Sequence, residues 1–168
     1  AIQESYQNPR AEIEQKIGTL EFHALVGHAC RNAMPNEYPQ WQDISWERLD
    51  YPIIPQSWIT KPREDRSQGK LLRDLKAKLD HCDAIICATD SDAEGYGIYY
   101  LVCDFLKLRN MPTLRFIEHS LTDKEILHSL LTMTDLYQDP VHRCFMGSYL
   151  IRSRADWLYG LNLTMLMS

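Results

Sequence analysis

Long apolar runs are missing from this 168-residue chain. None approaches the roughly 20 residues that a helix needs to cross a bilayer, which excludes a membrane-spanning helix. A basic surplus is missing as well: 18 Lys and Arg stand against 23 Asp and Glu, a net charge of -5. That balance argues against a free-standing electrostatic DNA binder, so any nucleic-acid contact has to be local or shared with other parts. The first residues, Ala1-Ile2-Gln3-Glu4, lack the charged and apolar regions of a signal peptide. Paired cysteines are lacking too, because the 5 present are odd in number and show no C-x-x-C spacing. Buried free thiols of a reducing cytosol are the reading, with no chemistry assigned to them. A soluble, cytoplasmic protein with no membrane partner is expected. What is present is enough core, 45% hydrophobic residues, for one ordinary domain with part of a second.

Three carboxylates crowd into Asp90-Ser91-Asp92-Ala93-Glu94, directly after the apolar run Ala84-Ile85-Ile86-Cys87-Ala88. Downstream, Ile98, Leu101, Val102, Phe105 and Leu106 recur at helical spacing and predict one apolar stripe. The acids therefore belong on a turn between a buried parallel strand and a helix. Like charges so close resist joint ionisation, so either a proton is retained or a divalent cation neutralises them. One reading makes Asp92 a helix cap with Asp90 and Glu94 solvated. The alternation of three acids at the end of a buried strand favours Mg²⁺, which takes one or two carboxylates together with phosphates.

Elsewhere, Asn8-Pro9 opens a helix that Gly18 closes, and residues 19–26 alternate with Leu20, Phe22, Ala24 and Val26 on one face of a strand. Residues 34–68 form an irregular insertion, broken by Pro35, Pro39, Pro52, Pro55 and Pro62. Leu71, Leu72, Leu75 and Leu79 mark a helix before the acid-bearing strand, and residues 114–118 make a further strand. Thr122-Asp123-Lys124-Glu125 is a capping box, and a last helical stretch follows Asp139-Pro140. Strands and helices in alternation predict an α/β fold, a parallel sheet flanked by helices with a C-terminal helical segment.

With these residues in place, the chain resembles the Toprim region of type IA DNA topoisomerases, in particular the topoisomerase III branch. The family's D-x-D-x-E-G turn matches Asp90, Asp92, Glu94 and Gly95, and its Gly-His matches Gly27-His28. Pro35, Tyr38 and Trp41 resemble the passage that follows. The run Arg152-Ser153-Arg154-Ala155-Asp156-Trp157-Leu158-Tyr159-Gly160-Leu161-Asn162-Leu163-Thr164 looks like the stretch where the family leaves Toprim for a helical domain. The resemblance implies a Rossmann-like Toprim domain over 1–135 and the beginning of a helical domain over 136–168.

It also implies roles. Asp90, Asp92 and Glu94 would hold Mg²⁺, Glu4 would be the catalytic glutamate ending the first strand, and His28, Arg152 and Arg154 would meet DNA. The partners implied are a single-stranded DNA segment and the remaining topoisomerase domains, with the nucleophilic tyrosine beyond this chain. Other readings stay open. His28 can simply satisfy a turn, and Arg152 can pair with Asp156 one helical turn on. A self-contained, degenerate Toprim protein and a Toprim nuclease or primase-like enzyme also fit. Departures favour weaker DNA contact: Ala93 stands where the family usually has Arg, Tyr96 where it has a further acid, and Met165 where a basic residue is common.

Overall fold

The computed structural model describes residues 15–25 and 27–167. Glu4, Val26 and most of the first predicted helix lie outside them. Residues 15–17 are helical and stop at Gly18, whose φ of +87° is the left-handed conformation that closes a helix cheaply only with glycine.

Among the described residues the order is β1 (Cys30–Asn32), β2 (Thr60–Pro62), α1 (Arg66–Leu79), β3 (Ile85–Cys87), α2 (Ala93–Leu106), β4 (Thr113–Arg115), α3 (Asp123–Leu131), β5 (Thr134–Asp135) and α4 (Pro140–Leu166). β3 and β4 pair in parallel across α2, with Ile85 opposite Thr113 and Cys87 opposite Arg115. β5 adds to β4 antiparallel. This is the predicted α/β arrangement, with the apolar run as a strand and the acids on the turn into α2. β1 and β2 form a separate antiparallel ribbon, Cys30 opposite Pro62. No helix among the described residues is long and apolar enough to cross a membrane.

Two expectations change. Residues 19–25 form no strand, and their faces do not sort as the alternation predicts: Phe22 is 82% exposed while Leu20, His23 and Leu25 are half-buried. Alternation stabilises a strand only beside a hydrogen-bonded neighbour. Instead the segment lies along α1, where the Lys78 ammonium donates to the Phe22 carbonyl at 3.0 Å. The second change concerns α2, which buries two faces instead of one stripe. Tyr96, Tyr99 and Cys103 pack with Cys87, Leu136 and Met146, while Leu101 and Val102 pack with Ala29, Cys30, Leu72 and Tyr149. α2 is thus the central element between the sheet, α1 and α4.

Helix starts follow the predicted chemistry. Asp92 caps α2, Thr122 caps α3, and Asp139 caps α4 with Pro140 in the first turn. The 34–68 insertion contains two short 3₁₀ turns, at Pro35–Glu37 and Trp46–Arg48. The insertion and the end of β1 just before it are fastened to α4 by side chains. The Asn162 amide accepts from Ile53 N at 2.7 Å and donates to Ile53 O at 3.1 Å, Trp157 Nε1 donates to Ala33 O at 3.0 Å, and Asn32 Nδ2 donates to Ser153 Oγ at 3.0 Å. The rings of Tyr38, Trp41, Trp58 and Trp157 meet edge to face in the same seam.

All 5 cysteines are free, and three are buried. Burial pushes the Cys103 thiol up to about 11 and that of Cys30 to about 12, so neither is a thiolate at neutral pH.

The α2–α4 crossing is tight. A Cβ at Gly97 would fall 2.2 Å from the Tyr149 ring, whereas one at Gly147 meets nothing within 4 Å. Gly97→Ala should therefore lower unfolding stability by roughly 1–3 kcal/mol, and Gly147→Ala should raise it by roughly 0.5–1 kcal/mol. Urea midpoints at constant slope measure both.

Candidate functional site

The acidic turn is held by its backbone. Asp92 Oδ1 accepts from Gly95 N at 2.8 Å, closing the first turn of α2. Gly95 sits so close to the strand end that a Cβ there would lie 2.2 Å from the Asp90 carbonyl oxygen. Only glycine permits that approach.

Beneath the turn lies Arg115, 1% exposed. Its Nη1 donates to Cys87 O at 2.9 Å, and its Nη2 donates to Thr89 O at 2.7 Å and Asp90 O at 2.8 Å. The guanidinium also lies 4.4 Å from the centre of the Tyr96 ring. A planar fork satisfies several carbonyls at once, which a lysine ammonium cannot do in the same geometry. Sequence reading missed Arg115. The available signal is an arginine inside a stretch expected to be a strand.

The three acids have different surroundings. Asp90 and Asp92 are exposed. Glu94 turns away from them: its Oε1 is 2.8 Å from His28 Nε2, and its Oε2 accepts from Arg152. Arg152 thus reaches across to α2 and not to Asp156. His28, Glu94 and Arg152 line a cleft of about 300 Å³ together with Arg31, Asn32 and Arg63. Arg31 is anchored there by Glu37 at 2.6 Å. Arg154 is not among the cleft residues; its guanidinium lies over Trp58 at 5.2 Å.

Two predicted metal ligands and two predicted DNA contacts thus fall at neighbouring but distinct places, bridged by Glu94. Among the described residues, no three His, Cys, Asp or Glu side chains are grouped to hold a metal ion. Asp90 and the second oxygen of Asp92 are nonetheless hard oxygen donors, and a hydrated Mg²⁺ takes one or two such carboxylates when phosphate completes its shell. They fit that limited role. Glu94 joins them only by leaving His28 and Arg152. That exchange is cheap, because the Glu94–Arg152 pair is 39% and 61% exposed and such pairs contribute about 0–1 kcal/mol.

Tyrosines near the turn are core residues. Tyr96, Tyr99 and Tyr149 are all less than 8% exposed, and burial raises the hydroxyl pKa of Tyr99 and Tyr149. Neither is poised as a nucleophile.

An exposed acidic turn at the end of a parallel strand, beside an arginine-lined cleft, is the candidate site of an α/β protein. No family model matches the chain. Over 83% of its length it is 32% identical to DNA topoisomerase 3 of Vibrio cholerae serotype O1, and 32% identical to that of Salmonella typhimurium. Over 90% of its length it is 33% identical to DNA topoisomerase 3 of Staphylococcus saprophyticus. The chain is topoisomerase III-like across this span, and it spans about a fifth (21%) of the length of these curated relatives.

Arg115→Lys should keep the charge but lose the fork, lowering unfolding stability by about 2–4 kcal/mol. Chemical denaturation measures the loss, and a change below about 0.5 kcal/mol would show that the clamp is unimportant.

Proposed function

We propose that this chain is the Toprim part of a type IA DNA topoisomerase, binding Mg²⁺ and supporting cleavage and religation of a DNA strand. The observation that carries the reading is the pair of exposed carboxylates, Asp90 and Asp92, at the end of a parallel strand in a topoisomerase III-like chain. On this reading residues 1–135 form the Toprim domain and 136–168 open the helical domain.

When bound, Mg²⁺ supplies positive charge to phosphate oxygens as negative charge builds on them. Asp90 and Asp92 hold it at the turn. Arg152 and His28 exchange Glu94 for the DNA backbone, since a guanidinium forks onto phosphate as it does onto carboxylate. Arg154 contacts DNA at a flank of the site. Glu4, outside the described residues, exchanges a proton with the leaving 3′ oxygen. The nucleophilic tyrosine and the other topoisomerase domains lie outside this chain, and the setting is the cytoplasm.

A second reading, a Toprim protein that binds nucleic acid without metal chemistry, is favoured by one observation. Glu94 is already engaged by His28 and Arg152. Calorimetry separates the two. Titrating MgCl₂ into the chain should give a weak binding heat that disappears in the Asp90→Asn, Asp92→Asn double variant. Equal heats in the two proteins would remove the metal assignment and leave the second reading.

Contact with the DNA backbone has its own signature. Arg152→Gln should weaken single-stranded oligonucleotide binding uniformly across sequences and reduce the salt slope of log K by about 0.7. An unchanged slope, read by fluorescence anisotropy at several salt concentrations, would take Arg152 off the phosphate.

A further inference from the structure

We propose that His142 is a positioning residue for the acidic turn, acting through Tyr96 and Arg115 on the backbone that carries Asp90 and Asp92. The importance of that backbone rests on the function proposed above; the brace itself stands on contacts alone.

His142 lies near the start of α4 and is 3% exposed. Its Nδ1 is 2.7 Å from the Tyr96 hydroxyl on α2, and its Nε2 is 2.8 Å from the Thr134 hydroxyl on β5. Phe145, one turn along α4, stacks on the Tyr96 ring at 5.3 Å and 7°. The same ring bears the Arg115 guanidinium, which holds the carbonyls of Cys87, Thr89 and Asp90. One continuous chain of contacts therefore runs from α4 and β5 to the turn. Tyr96, a departure from the resembled family's pattern, is its middle link.

Neutral imidazole suits this place. It offers one donor and one acceptor, so one ring nitrogen donates to a hydroxyl while the other accepts from the second hydroxyl. A protonated ring has two donors, and the Tyr96 hydroxyl would have to turn its own proton elsewhere inside the core. The charged and titratable groups facing the ring are Tyr96, Arg115 and Asp139, whose Oδ2 lies 3.7 Å from Nε2, together with the Thr134 hydroxyl. Burial holds the His142 pKa below its ordinary 6.5; Asp139 opposes that shift and Arg115 adds to it. The sign follows. Below pH 6.5 the opened state takes up the proton first, so the brace is at full strength above that pH and weakens as pH falls through the lowered folded value.

The test uses the full chain without metal and reads amide hydrogen exchange at Gly95 and Tyr96, corrected for intrinsic rates. Both amides bond to Asp92, at 2.8 Å and 3.2 Å, and so report the turn. In the parent, protection should fall between pH 7 and pH 5. Tyr96→Phe, which keeps the ring under Arg115 and removes only the hydroxyl, should speed exchange at pH 7 by about five- to ten-fold. His142→Gln should do the same. His142→Asn places an amide where Nδ1 sits, so it should recover most of the protection and show no pH response. Unchanged protection in Tyr96→Phe, or a pH response that survives in His142→Asn, would overturn the proposal. If His142→Gln fails to fold, Tyr96→Phe alone decides. Because no metal is added, failure of the Mg²⁺ assignment leaves this result standing, and the converse also holds.

Discussion

Beneath the acidic turn a guanidinium has been placed where water cannot reach it, and the geometry of the region follows from satisfying it. A buried arginine is tolerable only when its donors find oriented acceptors. The two terminal nitrogens of Arg115 find them in the carbonyls of Cys87, Thr89 and Asp90, the strand end from which the acids project, while its buried Nε has no partner among the described residues. Its flat face rests on Tyr96, the fourth residue of the helix that follows. Strand and helix are thereby locked to one another through one side chain. The close contact of Gly95 with the Asp90 backbone leaves the turn no other course.

Much of this was legible in local pattern. The apolar run, the acids after it and the helical spacing beyond placed the strand, the turn and α2 together, and the caps at Asp92, Thr122 and Asp139 form as their residue types dictate. Long-range pairing was not legible. Residues 19–25 alternate like a strand but lie on α1, because alternation records a half-buried surface without naming its partner. For the same reason the short ribbon of β1 with β2, whose partners are about thirty positions apart, carried no local signal. Arg115 looked like one charge in an ordinary strand, since its role depends on contacts 25 to 28 positions away.

The stretch from Arg152 to Thr164 divides its labour in a way that residue type alone does not reveal. Ser153 holds Asn32 at the end of β1, Trp157 packs on Tyr38 and Trp58, Asn162 bonds Ile53 of the insertion, Arg154 lies over Trp58, and Arg152 reaches Glu94. A helix turns about 100° per residue, so neighbours in this run face different elements. The same stretch therefore fastens the insertion and faces the cleft.

Charge crowding at the turn, which read as a demand for a metal, is largely met by the protein itself. The α2 N-terminus favours the charges of Asp92 and Glu94, His28 and Arg152 engage Glu94, and Arg115 sits behind the strand end. What remains exposed is two carboxylates beside a small cleft lined with arginine. Over a Debye length of about 10 Å at 0.1 M salt, that local arrangement outweighs a modest net charge spread over the whole surface. A chain of net charge -5 can therefore concentrate cationic side chains at one place and carboxylates next to it. Glu94 stands between them, held by an exposed pair weak enough to exchange.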